Sequence, residues 1–277
     1  MKRLAAGAAI VLIALGLTYG GYRVYRRSLP PLPAVVLHGA DLGPLLEPSL
    51  GARLRHAVVG SAADGRVAGP KLIALTFDDG PYPVDTPMLL AVLREAHVPA
   101  TFFLIGRDAE QYPGLVRAIA AGGHEIADHT ETHPDLATLD AAAVTAELTT
   151  GAATLERFVH DPAIRTEFRP PHGRFRRATL EAAQRAGYDT ILWTDDPGDW
   201  RNVTRTVLAA HIARYATSPE ILLLHNGRPE TVALLPGIIR RFRRAGYSFT
   251  TVAGLVERLG PGPLNHAART PLPLTDD

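Results

Sequence analysis

Five short polar clusters in this sequence combine residue types that can support hydrolytic or metal-assisted chemistry. The first is Asp78-Asp79-Gly80-Pro81, two adjacent carboxylates ahead of a Gly-Pro turn signal. The second runs from Asp128 to His133, and its two imidazoles, His129 and His133, can meet one cation from a single helical or turned segment. The third, Arg169-Pro170-Pro171-His172-Gly173, sets a guanidinium beside a backbone stiffened by two prolines. The fourth spans Thr194 to Trp200 and carries Asp195, Asp196 and Asp199; the fifth is Leu223-Leu224-His225-Asn226-Gly227. Each has a bland counterpart, since adjacent acids also make turns and helix caps, and paired histidines also sit in exposed loops. With 0 cysteines there is no disulfide, iron–sulfur cluster, cysteine-ligated zinc or thiol nucleophile. Any metal must be held by imidazole and carboxylate.

The surrounding pattern gives these clusters a common position. Short apolar runs at 72–77, 101–105, 125–127, 167–169, 190–194, 221–224 and 248–252 fit buried strands. Helical patterns fill the gaps at 86–96, 114–121, 140–158, 176–186, 203–216 and 230–245, with Gly187 and Gly246 as C-terminal stops. Such alternation predicts a parallel α/β fold, a barrel or an open sheet, and in both forms chemistry gathers at the strands' C-terminal ends. All five clusters fall at such ends. If the first strand persisted through both acids, its pleat would send Asp78 and Asp79 to opposite sides and separate their roles. The other histidines lie away from these clusters and receive no function. The arginines at 240, 241, 243 and 244 read as a solvated helix end that complements the dipole. Twenty-nine basic against 28 acidic residues leave a formal charge of +1, too little field to hold nucleic acid, and no protein partner is expected.

The chain, 277 residues long, divides into four parts. Residues 1–27 hold an apolar run from Leu4 to Tyr22, roughly 19 residues against the ~20 that cross a bilayer. Lys2 and Arg3 flank it on one side, Arg23, Arg26 and Arg27 on the other. A transmembrane anchor is favoured over a cleaved signal peptide, because no small-x-small exit follows the run. Residues 28–70 have the Pro/Gly-rich composition of a linker, 71–258 form the catalytic domain, and 259–277 read as a disordered tail.

Taken together, Thr76-Phe77-Asp78-Asp79-Gly80, His129-Thr130-x-x-His133, Arg169-x-Pro171-x-Gly173, Asp196-x-x-Asp199-Trp200 and Leu223-x-His225 resemble, in order, the five motifs of the polysaccharide deacetylases, carbohydrate esterase family four. The resemblance implies an irregular (β/α) barrel of seven or eight strands that removes acetyl groups from N-acetylated sugars with a divalent metal. It makes Asp79, His129 and His133 the metal ligands and Asp78 the catalytic base. It makes His225 the acid, with Arg169 orienting Asp78 and Asp199 setting the protonation of His225. Pro171 and His172 lie on the substrate side, the His172 N–H as an oxyanion donor, and Trp200 and Leu223 wall the acetyl pocket. The sequence departs from the family in having His172 where Tyr is usual and Asn226 where Asp commonly follows the acid histidine.

Two imidazoles and a carboxylate suit zinc, and also cobalt, nickel or ferrous iron. Zinc is the expected ion. The expected substrate is an N-acetylglucosamine polymer, peptidoglycan ahead of chitin-like or exopolysaccharide chains, reached by a domain held outside the cytoplasm. Two other readings compete. A ferrous-iron oxygenase shares the donor set but has no use for Arg169, Asp199 and His225; a non-catalytic glycan-binding module would tolerate loss of Asp78.

Overall fold

The protein is described here from a computed structural model, which covers residues 36–37, 71–201, 203–214 and 220–259. The predicted anchor, most of the predicted linker and all of the predicted tail beyond Leu259 lie outside the described residues. Among the described residues no helix is long and apolar enough to cross a membrane.

Eight strands form one sheet: β1 (Val36–Leu37), β2 (Leu72–Asp78), β3 (Thr101–Leu104), β4 (Glu125–Asp128), β5 (Glu167–Phe168), β6 (Asp189–Ile191), β7 (Glu220–His225) and β8 (Ser248–Thr250). The helices are α1 (Asp85–Ala96), α2 (Gly106–Gln111), α3 (Pro113–Ala121), α4 (Ala141–Glu156), α5 (Arg177–Arg185), α6 (Arg205–Arg214), α7 (Pro229–Arg244) and α8 (Val252–Leu259). Neighbours follow the order β1-β6-β5-β4-β3-β2-β7, parallel throughout except that β1 joins β6 antiparallel. Along one edge of β2, β8 pairs with Leu72–Ala74 and β3 with Thr76–Asp78. Beyond β6 the chain comes round to β7 through a single parallel bridge, Asp195 to Leu222. The result is a parallel-sheet half-barrel with helices outside.

Pleat alternation in β2 explains its buried length. Ile73, Leu75 and Phe77 face the helical shell, where Leu89 and Leu93 of α1 and Leu235 and Phe242 of α7 join the same apolar cluster. Leu72 and Ala74 face inward onto Phe103, Ala127, Ile191 and Ile221, and Val252 and Leu255 of α8 close that interior from the strands' N-terminal end. The next two inward positions are Thr76 and Asp78. The interior therefore turns from apolar to polar toward the C-terminal end of the sheet, where the five clusters lie.

The opposite end carries buried acids. Glu125 accepts from Thr101 Oγ1 (3.1 Å) and from the Ala253 N–H at the start of α8 (3.0 Å), tying the closing helix to the sheet. Glu167 is also buried, with one carboxyl oxygen lacking a partner. Burial first, then the charge of Glu125, hold the Glu167 carboxyl well above the ordinary glutamate range. Between that ordinary range and its raised folded value, the folded state binds the extra proton, so this contribution to stability is lost as pH rises. Glu167→Gln removes the titration. Its denaturant midpoint should fall less than that of the unaltered chain between pH 5 and pH 8, and parallel pH profiles would contradict this account.

Candidate active site

Arg169, at the exit of β5, organises the polar end of the interior. It is fully buried, and its guanidinium lies 4.1 Å from the centre of the Phe103 ring. Nη1 donates to Asp78 Oδ1 (2.6 Å) and to Thr76 Oγ1 (2.8 Å), the two inward positions at the top of β2. Nε donates to the Ile191 carbonyl (3.3 Å) and Nη2 to the Leu192 carbonyl (3.1 Å). Five donors in a fixed fork suit this task, whereas the three of a lysine ammonium radiate from a point. The outcome is an Asp78 carboxylate, 4% exposed, with one oxygen fixed by Arg169 and the other, Oδ2, directed toward His129 at 3.8 Å.

Strand β2 stops at Asp78, so the expected pleat alternation through Asp79 does not occur. Asp79 enters a left-handed conformation (φ 72°), as does Gly80 after it (φ 74°). That turn, not the pleat, separates the two acids, and it sets Asp79 Oδ1 3.3 Å from His133 Nε2 and 3.7 Å from His129 Nε2. The three ligand atoms lie within 4.8 Å of one another. Bonds of ~2.0–2.1 Å in a tetrahedral zinc site put neighbouring ligands roughly 3.3 Å apart, so the trio fits one ion. His129 Nδ1 donates to the Arg169 carbonyl (2.8 Å), which leaves the Nε2 lone pair facing Asp79. Burial pushes both imidazoles down to about 3, aided at His133 by the charges of His129 and His172, and keeps them neutral as a metal requires. Burial and then the Asp78 charge raise Asp79 to about 6, a penalty that a cation would relieve.

A turned segment, not a helix, delivers His133. Thr130 (φ 69°) and His133 (φ 60°) are both left-handed. Asp128 Oδ1 takes the Thr130 N–H (2.7 Å), and Thr130 Oγ1 takes the His133 N–H (3.0 Å). Helix α4 clamps the same segment from outside: the Glu147 carboxylate accepts from Thr132 N–H and Thr132 Oγ1 (2.9 Å each), and its carbonyl takes the Glu131 N–H (3.1 Å). Gly151 permits this approach, since a Cβ there would lie 2.8 Å from Asp128 Oδ1 and 2.9 Å from Glu131 N.

His225 ends β7 in direct register with Asp78. Its Nδ1 bonds Asp199 Oδ1 (2.7 Å), while Asp199 Oδ2 takes the His225 N–H (2.8 Å) and Thr231 Oγ1 (2.7 Å). Burial pulls the His225 imidazole down, but the Asp199 bond and the charges of Asp78, Asp199 and Asp79 outweigh it and the balance is upward. His172, itself left-handed (φ 59°), stands with its ring 4.6 Å from that of His133. Pro171 is buried beneath it. Leu223 is buried, its N–H bonded to the Asp195 carbonyl (2.9 Å). Trp200 is 43% exposed, with Arg201 stacked on its ring.

All eleven expected positions thus fall at the strands' C-terminal end or in the loops leaving it. Sequence reasoning missed Thr76, Glu147, Gly151 and Thr231. Thr76 was within reach, because two residues before Asp78 on a strand means the same face. Nothing in sequence spacing ties Glu147, Gly151 or Thr231 to the site, since helix packing alone brings them there.

Known proteins share this architecture. The chain matches the family described as Polysaccharide deacetylase over residues 65–191, a span that holds Asp78 through His172 and stops before Asp199. It is 38% identical over 191 residues to a peptidoglycan-N-acetylglucosamine deacetylase of Bacillus cereus, covering 67% of this chain and 88% of that one. It is 34% identical over 197 residues to a chitooligosaccharide deacetylase of Bradyrhizobium sp., covering 66% and 90%. A solved family 4 carbohydrate esterase from Streptomyces lividans superposes with a TM-score of 0.61 at 28% identity, over 65% of this chain and 91% of that one. The chain belongs to the polysaccharide deacetylases, the family 4 carbohydrate esterases.

The clamp from α4 has a measurable consequence. Glu147→Ala should weaken divalent-ion binding about tenfold by titration calorimetry, as loss of a ligand's supporting partner does, while the thermal midpoint changes little. Unaltered affinity would show that the segment holds His133 without Glu147.

Proposed function

We propose that this protein is a metal-dependent N-deacetylase of N-acetylglucosamine-containing glycans, with peptidoglycan the favoured substrate and chitin-like oligomers or exopolysaccharide next. One observation carries the reading: Asp78 and His225 stand opposite each other in the β2–β7 register, each locked by its own buried partner, beside the Asp79–His129–His133 trio. The family's relatives named for peptidoglycan and chitooligosaccharide support the substrate class. We read the sheet as an irregular barrel, supported by the Asp195–Leu222 bridge.

Asp79, His129 and His133 would hold the ion, zinc by preference, with cobalt or nickel fitting the same donors. When bound, a divalent ion polarises the acetamide carbonyl and acidifies a water. Asp78 Oδ2 is the group free to take that water's proton, because Arg169 occupies Oδ1. As the carbonyl carbon becomes tetrahedral, the His172 N–H is the protein donor proposed for the developing oxyanion. The departing amine needs a proton, and His225 Nε2 delivers it, since Asp199 fixes Nδ1 and favours the protonated ring. Pro171, Leu223 and Trp200 are proposed to shape the pocket for the acetyl group. The apolar run from Leu4 to Tyr22 supports a membrane tether; the basic residues on both its flanks do not set its orientation, and it is the glycan substrate class that favours a domain outside the cytoplasm.

Acetate release from a peptidoglycan fragment by the metal-loaded protein tests the proposal. It should stop on chelation and fall about 10²–10⁴-fold in Asp78→Asn; no release from any N-acetylated glycan with metal supplied would refute it. Asp199→Ala removes the largest of the influences that raise the His225 imidazole, and the acid must be protonated to act. The alkaline limb of its pH–rate profile should therefore move to lower pH, and an unmoved limb would remove His225 from the acid's role.

A further inference from the structure

Arg228 lies three residues beyond His225, between the end of β7 and the first residue of α7. The chain there is fastened to the site from two directions. The Asn226 N–H bonds the Asp78 carbonyl (2.8 Å), and Gly227 is pressed so closely on the Tyr82 ring that a Cβ would lie 2.6 Å from it. Tyr82 in turn packs against Gly80, in the turn that aims Asp79. Arg228 is thus on the rim of the mouth that holds the candidate base, acid and metal ligands.

Other arginines near this mouth are matched. Arg169 is bonded to Asp78, Arg107 lies against Asp108 (3.5 Å), Arg174 pairs with Asp135 (3.1 Å), and Arg201 covers Trp200. The Arg228 side chain, half-buried, makes no hydrogen bond or ion pair among the described residues. Local stability does not account for it. As N-cap of a 16-residue helix it offers no acceptor to the first-turn N–H groups, and its charge opposes the positive end of the helix dipole.

An unmatched, half-buried guanidinium carried on the rim of a catalytic mouth suits a substrate that brings a carboxylate, which the planar fork can receive through two parallel hydrogen bonds. Uncharged N-acetylglucosamine chains present only hydroxyl and acetamido groups to it. We propose that Arg228 is a specificity-determining residue that selects glycans in which the N-acetylated sugar is followed by a carboxylate-bearing unit. This inference rests on the deacetylase reading and narrows its substrate to an acidic polymer of the peptidoglycan type.

The test is a ratio of kcat/KM values on the metal-loaded protein, so that any effect of the Arg228 charge on the metal site cancels. The substrates are peptide-free peptidoglycan strands, the same strands with their carboxyls reduced, and N-acetylglucosamine oligomers of equal length. Arg228→Ala should lower the ratio of acidic to uncharged substrate about tenfold, chiefly through KM. Arg228→Lys, which keeps the charge but not the fork, should fall between, and added salt should depress the ratio in the unaltered protein more than in Arg228→Ala. A ratio unmoved by Arg228→Ala, or one indifferent to carboxyl reduction, would overturn the inference while leaving deacetylation intact. Acetate release from none of the three would instead overturn the deacetylase reading, and the inference with it.

Discussion

One buried guanidinium holds this site together. Arg169 connects the end of β2, through Asp78 and Thr76, to the chain leaving β6, through the Ile191 and Leu192 carbonyls. A charge with no water around it is tolerable only when its donors are met, and here Phe103 and Trp193 add ring faces beside the plane of the head group. The backbone of the same residue accepts the Nδ1 proton of His129. A single side chain and its carbonyl therefore set the direction of one carboxylate and the tautomer of one candidate ligand histidine.

Asp78 and His225 are held differently by the fold. Asp78 is held from within the half-barrel by a cation. His225 is held from the loop after β6 by a carboxylate that is itself saturated by His225 N–H and Thr231. Opposite charges stand behind the two side chains, a guanidinium behind Asp78 and a carboxylate behind His225, and the carboxylate raises the His225 imidazole. Their shared register on β2 and β7 keeps them level with each other without any loop rearrangement.

Much of this could be read from residue order. Strand positions followed from apolar runs, and all five clusters emerged at strand ends because parallel sheets put their loops there. Where the reading slipped, tertiary contacts had replaced local pattern. The run 190–194 stops as a strand at Ile191, since Arg169 takes the next carbonyl and Thr194 and Asp195 turn to bond β7. The polar six-residue α2 has no apolar stripe to betray it; it follows β3 directly, and its Gly106 and Arg107 N–H groups donate to the Thr130 and Glu131 carbonyls. Val36–Leu37, in a stretch of linker composition, pairs with the edge of β6, an arrangement no periodicity over two residues can signal. Val252, where the apolar run predicts a strand end, starts α8, because its N–H meets Thr101 Oγ1 at the N-terminal end of the sheet.

Among the described residues, five non-glycine positions have positive φ, and four of them, Asp79, Thr130, His133 and His172, ring the candidate metal centre. Each such position costs on the order of 1–3 kcal/mol in a side chain bearing a Cβ, most of all where that carbon is branched, as at Thr130. Glycine or asparagine there would ease the backbone and release the very angles that aim the imidazoles. Selection for heat resistance alone would therefore erode the centre first.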